Sequence, residues 1–341
     1  MPSLITSFLR DVRPRLSSRF LLRPMLAILL GGVAAHGGEP LRGDEPIVLP
    51  GTHGKFDFLS IDVAGNRLLA AHTGNTSLDV IDLDSGKLVK SIPTGAAQAA
   101  VADAKGEKYF VAASKPAQAV VVDAKSGDVL SKTPLSGPAD LLALNSKTGE
   151  LYVDHDDGKD LWKIDSSSGK IVKTIALPGD GPEDLAFDSS FEHLFQCMKT
   201  GSVVAVVELA SGQVVHSWPT APAAAPHGMA VMSEAHALAV AGGNGKLVLL
   251  NDQDGHVIAS TDIPARVDQI AYDPASHRIY CASGTGKIAI VQFKDGTLQK
   301  VGEVPSSEGC HSIAVDPKTH KVWVAYAKGD QSFVRAYTSA D

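Results

Sequence analysis

Ser312-Ile-Ala-Val-Asp-Pro-Lys-Thr-His-Lys-Val-Trp-Val-Ala-Tyr326 carries the pattern from which the rest of the chain can be read. A short apolar strand runs into Asp316, a polar turn follows, and a second strand places Trp323 and Tyr326 among small residues. Working outward, the strand-to-acid unit recurs at Phe58-Leu-Ser-Ile-Asp62, Ala99-Ala-Val-Ala-Asp103, Leu141-Leu-Ala-Leu-Asn145, Leu185-Ala-Phe-Asp188, Gly228-Met-Ala-Val-Met232 and Gln269-Ile-Ala-Tyr-Asp273, in steps of 41, 42, 43, 44, 41 and 43 residues. The second strand returns as Tyr109-Phe-Val-Ala-Ala113, Leu151-Tyr-Val-Asp154 and Ile279-Tyr-Cys-Ala-Ser283. A third strand then leads into an acidic turn, as in Asp82-Leu-Asp-Ser-Gly86 and Asp123-Ala-Lys-Ser-Gly127, whose residues tolerate positive φ or bond their own backbone. Each fourth strand closes on a proline: Pro50, Pro93, Pro134, Pro178, Pro219, Pro264 or Pro305. There the missing amide breaks no ladder.

Four strands in about 42 residues, repeated, specify the blade of a β-propeller. A horseshoe repeat would need a helix or a leucine-asparagine ladder in every unit, and the sequence has neither. The last copy ends on its third strand, at Val334-Arg-Ala-Tyr337, while Ile47-Val-Leu49 precedes the first copy with no blade of its own. Pairing the two buries both edges. The expected fold is all-β: a seven-bladed β-propeller of four-stranded blades, closed by an N-terminal strand that completes the last blade.

Apolar types at 44% and charged types at 20% fit a globular chain and exclude a disordered or collagen-like one. Three cysteines, Cys197, Cys281 and Cys310, cannot form a disulfide framework or a cysteine-rich zinc module. Residues 1–24 hold five arginines against one aspartate, and Met25–Ala35 is an apolar run about the length of a signal-peptide core. The reading is a signal peptide at 1–35, a polar linker at 36–46 and the propeller at 47–341, exported to the periplasm or the extracellular space, with a retained anchor as the alternative. The net charge is −7; with those five arginines and one aspartate removed, the remainder carries −11. Such a body disfavours sequence-independent binding to nucleic acid or anionic membranes.

Ser312–Tyr326 and Leu141-Leu-Ala-Leu-Asn-Ser-Lys-Thr-Gly-Glu-Leu-Tyr-Val153 resemble the repeats of the YVTN, YncE-like family of exported bacterial propellers, a resemblance that covers residues 47–338. The literal tetrapeptide Tyr-Val-Thr-Asn is absent. The resemblance implies the fold; the scaffold hosts binders, lyases, lactonases and electron-transfer proteins alike. One branch of the likeness implies single-stranded DNA binding, which the acidic body and scarce aromatics oppose.

In propellers, the loops entering the innermost strand gather around one mouth of the central channel. Five positions before each repeat-ending residue stand Asp57, Gln98, Asp140, Glu183, His227, Asp268 and His311, all seven hydrophilic. A wet channel mouth accounts for them without function. A ligand or ion site accounts for them too, since facing carboxylates and imidazoles favour a bound cation. His227, Asp268 and His311, from consecutive blades, suggest a two-histidine, one-carboxylate centre for one divalent transition metal, with Cys310 alongside. A second register, at the end of the second strand, holds His72 and His155 aligned with Met198, Ser283 and Tyr326, a weaker metal candidate. Pro226-His-Gly-Met229 is similar to an element of propeller lyases. No nucleophile elbow, zincin helix or phosphate loop occurs.

The leading expectation is a monomeric propeller that binds a small molecule, an ion or an envelope protein at the channel face, without demonstrable catalysis. The alternative is a metal-dependent lyase or lactonase, or a redox enzyme, at the same site, with Glu183 or Asp140 as general base.

Overall fold

The structure, a computed structural model, describes residues 40–340. The leader read at 1–35 and positions 36–39 of the linker lie outside the described residues. Among the described residues, no helix is long and apolar enough to cross a membrane.

The strands form seven antiparallel sheets whose strand order follows the chain. Blade one comprises Leu59–Asp62, Arg67–His72, Ser77–Asp82 and Leu88–Pro93. Blades two to six repeat the plan, with inner strands Ala97–Ala102, Ala139–Asn145, Pro182–Phe187, Pro226–Met232 and Val267–Asp273. Where an acid stands at the end of an inner strand, it has a local task. Asp62 accepts from the Gly65 amide (2.8 Å), Asp103 from Glu107 (2.7 Å), Asp188 from Glu192 (2.8 Å) and Asp316 from Lys318 (3.0 Å). An oxygen two atoms from the backbone satisfies amides that the tight turn leaves without a ladder partner. At Met232 no such oxygen exists, and a 3-10 turn over Ser233–Ala235 takes its place.

Blade seven contains Ser312–Val315, Val322–Lys328 and Gln331–Ser339. Its outer strand comes from the N-terminal side in two pieces. Ile47, Val48 and Leu49 pair with Val334, Phe333 and Ser332, which is the closure read from the sequence. The second piece differs from that reading: Leu41–Gly43, placed in the linker, pairs with Tyr337–Ser339. Leu41 is fully buried, in a cluster with Tyr280, Ile288 and Tyr337, so its apolar side chain holds the segment against the sheet. Between the two pieces, Asp44 keeps the ladder with a 2.8 Å bond to the Ala336 carbonyl. Arg335 donates to the Asp44 carbonyl (2.7 Å) and lies so close over Gly43 that a Cβ there would meet its guanidinium at 2.6 Å.

Middle strands are covered on both faces, so a strand such as Ala237–Gly242 in blade five is buried along its whole length. The inner strands meet at the axis, where space is tightest. A Cβ on Gly228 would meet the Asp268 carbonyl at 2.5 Å, so the glycine lets blade five approach blade six and brings His227 beside Asp268. Gln269 ties blade six to its neighbours: its side-chain oxygen accepts from Leu59 (3.0 Å) and Ile313 (2.9 Å), and its amide donates to the Leu59 carbonyl (2.7 Å).

Candidate functional site

The seven register residues stand at or just before the start of the inner strands. Five of them converge. Asp57, Asp268 and His311 each present one ligand atom, mutually within 4.8 Å, and so do Glu183, His227 and Asp268. Asp268 belongs to both groups. His311 Nδ1 lies 2.7 Å from Asp268 Oδ2, and His227 Nε2 lies 3.9 Å from Glu183 Oε1. The three residues expected to form a single His227–Asp268–His311 centre therefore fall into two clusters joined through Asp268. The cause is blade spacing: the imidazoles come from blades five and seven, with blade six between them, and each pairs with a different second carboxylate. His227 Nδ1 lies 2.7 Å from the Ala225 carbonyl. Donation there fixes the tautomer and leaves Nε2 as a lone-pair donor toward the cluster.

Gln98 and Asp140 complete the ring without joining either cluster. The Gln98 amide reaches Asp140 Oδ1 at 3.5 Å, and Thr73 Oγ1 donates to Gln98 Oε1 at 2.9 Å. Asp140 faces the charges of Asp154, Asp57 and Glu183.

Burial shapes the titration of these groups. It pushes Asp57 up to about 7, with the Asp268 charge adding to the rise. Asp140 stands well above the ordinary carboxylate value, through burial and then Asp154. Glu183 is raised by burial against the pull of His227 and Lys199. Asp268 is the exception. Burial raises it, but the His311 hydrogen bond and charge, together with His227 and Lys199, bring it below the ordinary value. His311 is raised: burial opposes its charge, and the bond to Asp268 outweighs that. Crowded carboxylates that cannot all ionise in a dry site are stabilised by an added cation.

His72 and His155 are not brought to this site. His72 is fully buried, stacked on Phe56, with Nδ1 2.7 Å from Asp79 Oδ2 and Nε2 3.1 Å from the Gly54 carbonyl. Both nitrogens are engaged, which leaves none for an ion. His155 stacks on Trp162 between Gly137 and Gly158, and neither histidine shares a metal-sized cluster. Cys310 stands outside both ligand clusters: burial pushes its thiol up to about 11, and Sγ faces the Ala325 carbonyl at 3.6 Å.

Sequence reading missed four charged groups here. Lys199 forms an ion pair with Glu183, and Lys55 stands 4.0 Å from Asp57. Asp184 is buried and accepts from the Met229 amide at 2.8 Å. Arg266 lines a cavity of about 400 Å³ with His227, Asp268 and His311. Lys199 sits one place beyond the second register, so only a wider window would have included it. A second cavity is different in kind: about 420 Å³, lined mainly by Phe58, Ala100, Leu142, Leu144 and Phe187.

The fold and site define a seven-bladed β-propeller with a carboxylate–imidazole cluster at one channel mouth. The chain is similar to the uncharacterized protein YncE of Salmonella typhi and of Salmonella typhimurium, at 29% identity over 152 residues in each case. That stretch is 44% of this chain and 38% of those relatives, so the match spans well under half of their length. No family model matches the chain. Among solved structures, a chain of the mitotic checkpoint complex superposes with a TM-score of 0.76 at 16% identity, over 98% of this chain and 99% of that one. A chain of Kuenenia stuttgartiensis hydrazine synthase gives 0.72 at 16% identity, over 84% and 98%. At such identities the likeness is one of fold. Propeller architecture and likeness to YncE together support a binding or scaffold role in general terms.

Proposed function

We propose that this protein is an exported propeller whose channel mouth binds one divalent transition-metal ion. The observation that carries the reading is the position of Asp268, common to two three-ligand clusters within 4.8 Å. Asp57, Asp268 and His311 supply two oxygens and a nitrogen; Glu183 and His227 supply another two ligands next to them. Mixed imidazole and carboxylate donors suit zinc, iron(II) or manganese. A bound ion would offset the carboxylate charge that burial leaves uncompensated. Export rests on the arginine-rich start and the apolar run Met25–Ala35, and periplasmic mass spectrometry tests it by the mass lost on cleavage.

The test of the ion is elemental analysis of the protein purified from an exporting host without chelator or affinity-tag histidines. One equivalent of metal in the wild type, lost in Asp268→Asn, is the expected result. A protein that stays empty after reconstitution with zinc, iron(II) and manganese would end this reading.

A second reading, a metal-dependent lyase or lactonase, is favoured by Asp140, which joins neither ligand cluster. Burial raises its affinity for a proton, the direction a general base at neutral pH needs. Turnover of a chromogenic lactone by the metal-loaded protein, abolished in Asp140→Asn with the metal retained, would favour this reading over simple binding.

A further inference from the structure

We infer that the cavity beside the ion-binding cluster takes a small organic monocarboxylate, held by the Arg266 guanidinium. This deepens the metal reading and rests on it for one of the ligand's two anchors. The cavity, about 400 Å³, is walled by Arg266, Val267, Asp268, His227 and His311, with Gly243, Gly284 and Gly309 between them. Its size falls within the range of small-molecule sites. Gly243 and Gly284 lie in strand connections of blades five and six and Gly309 in the loop from blade six to blade seven, and their lack of side chains keeps the space open. Gly284 also seats the arginine: a Cβ there would stand 3.4 Å from the guanidinium, which thus lies along the cavity wall.

What points to a ligand is an arginine that stands exposed in the wall of a cavity it shares with two imidazoles, its donors free to meet an anion. Among the described residues, no carboxylate lies within 4.0 Å of the Arg266 guanidinium, and it donates no hydrogen bond. The acid in the same cavity, Asp268, is taken by His311 at 2.7 Å. Arg266 also sits at φ 59°, a left-handed conformation uncommon for a long side chain. A guanidinium presents two parallel donors that match a carboxylate. A phosphate would match that fork as well, but Asp57, Glu183 and Asp268 border the site, and a second negative charge is repelled more than the first. A carboxylate with a neighbouring hydroxyl fits best, because the hydroxyl oxygen can complete the ion's coordination while the carboxylate meets Arg266.

The experiment is isothermal titration of the full-length protein, first with zinc alone, then with L-lactate on the zinc-loaded and on the metal-free protein, and with inorganic phosphate as the competing probe. Arg266→Asn is the variant of choice, because asparagine tolerates the left-handed backbone. Expected are lactate binding to the loaded wild type, at least tenfold weaker binding in Arg266→Asn, zinc affinity no weaker in that variant, and weaker binding of phosphate than of lactate. Lactate binding that is absent, or indifferent to Arg266, overturns the inference, and tighter phosphate binding overturns the choice of carboxylate. If zinc alone does not bind, the ion reading falls by itself. Lactate on the metal-free protein then decides: Arg266-dependent binding sustains the arginine site, and no binding overturns it.

Discussion

His72 and Asp140 are both polar groups in dry surroundings, and their environments set opposite roles. His72 and Asp79 are wholly buried, and Asp79 also accepts from Ser77 (2.8 Å) and Ser91 (2.6 Å). Removing the imidazole strands a buried carboxylate and leaves a void under Phe56. His72→Ala should therefore cost about 3 kcal/mol of unfolding free energy, read by urea denaturation. Asp140 has no comparable set of donors. Its raised titration means that the folded protein keeps a proton that the unfolded chain releases near pH 4. Above that pH the folded state binds more protons than the unfolded one, so stability falls as the pH rises toward the folded-state value. Asp140→Asn removes this loss. With chelator present, its melting midpoint should exceed the wild type's by a few degrees at about pH 8, and the advantage should shrink toward about pH 4. A constant offset across that range would show that Asp140 holds no proton. Lys199 bears on the proposed ion cluster from outside, because its ion pair occupies Glu183. Lys199→Gln removes a positive charge and frees that carboxylate, so zinc should bind roughly tenfold more tightly by competition titration. The ring was legible in the sequence because every member holds one register in a repeat. Lys199, Arg266 and the true partners of His72 were not, because each depends on which blade a single side chain leans toward.

The strand that closes the ring shows what patterning can and cannot reveal. Ile47–Leu49 was readable because the last copy lacks a fourth strand and this segment precedes a proline. Leu41–Gly43 was not, because three residues between Pro40 and Pro46, among glycines and charges, give no period to detect. Its pairing comes from the long third strand of blade seven, Gln331–Ser339, which outruns Ile47–Leu49 and leaves backbone groups to be met. Leu41→Ala should cost about 2–3 kcal/mol by urea denaturation, because it empties a filled position against Tyr280 and Tyr337. Deleting residues 40–49 should do something different in kind. It uncovers an edge of nine residues on Gln331–Ser339, and the product should aggregate on refolding, seen as concentration-dependent light scattering. A deletion variant that refolds as a monomer would show that the closing strand is dispensable.

At the scale of the whole molecule, closure arranges seven like blades around one axis, and unlike residues at one register then face each other. The ring makes a binding mouth out of positions about 42 residues apart without any local motif, which is why the fold was plain in the sequence and the ligand was not. Charge sets the limit on what that mouth accepts. A body of −11 with four carboxylates around the channel mouth repels a phosphate backbone, and among the described residues the exposed large apolar side chains are aliphatic, Val89, Leu130, Val172 and Val257 among them. Single-stranded nucleic acid needs both a basic track and aromatic stacking platforms, each stacked base contributing about 1–3 kcal/mol. Lys55, Lys199 and Arg266 at the mouth are too few, and two of them stand beside acids. A labelled 30-nucleotide strand should therefore remain unshifted by micromolar protein at about 150 mM salt. Binding that persisted there and weakened in Lys55→Gln/Lys199→Gln/Arg266→Asn would place the strand across the same mouth, and would overturn the proposal of an ion as the ligand of this face.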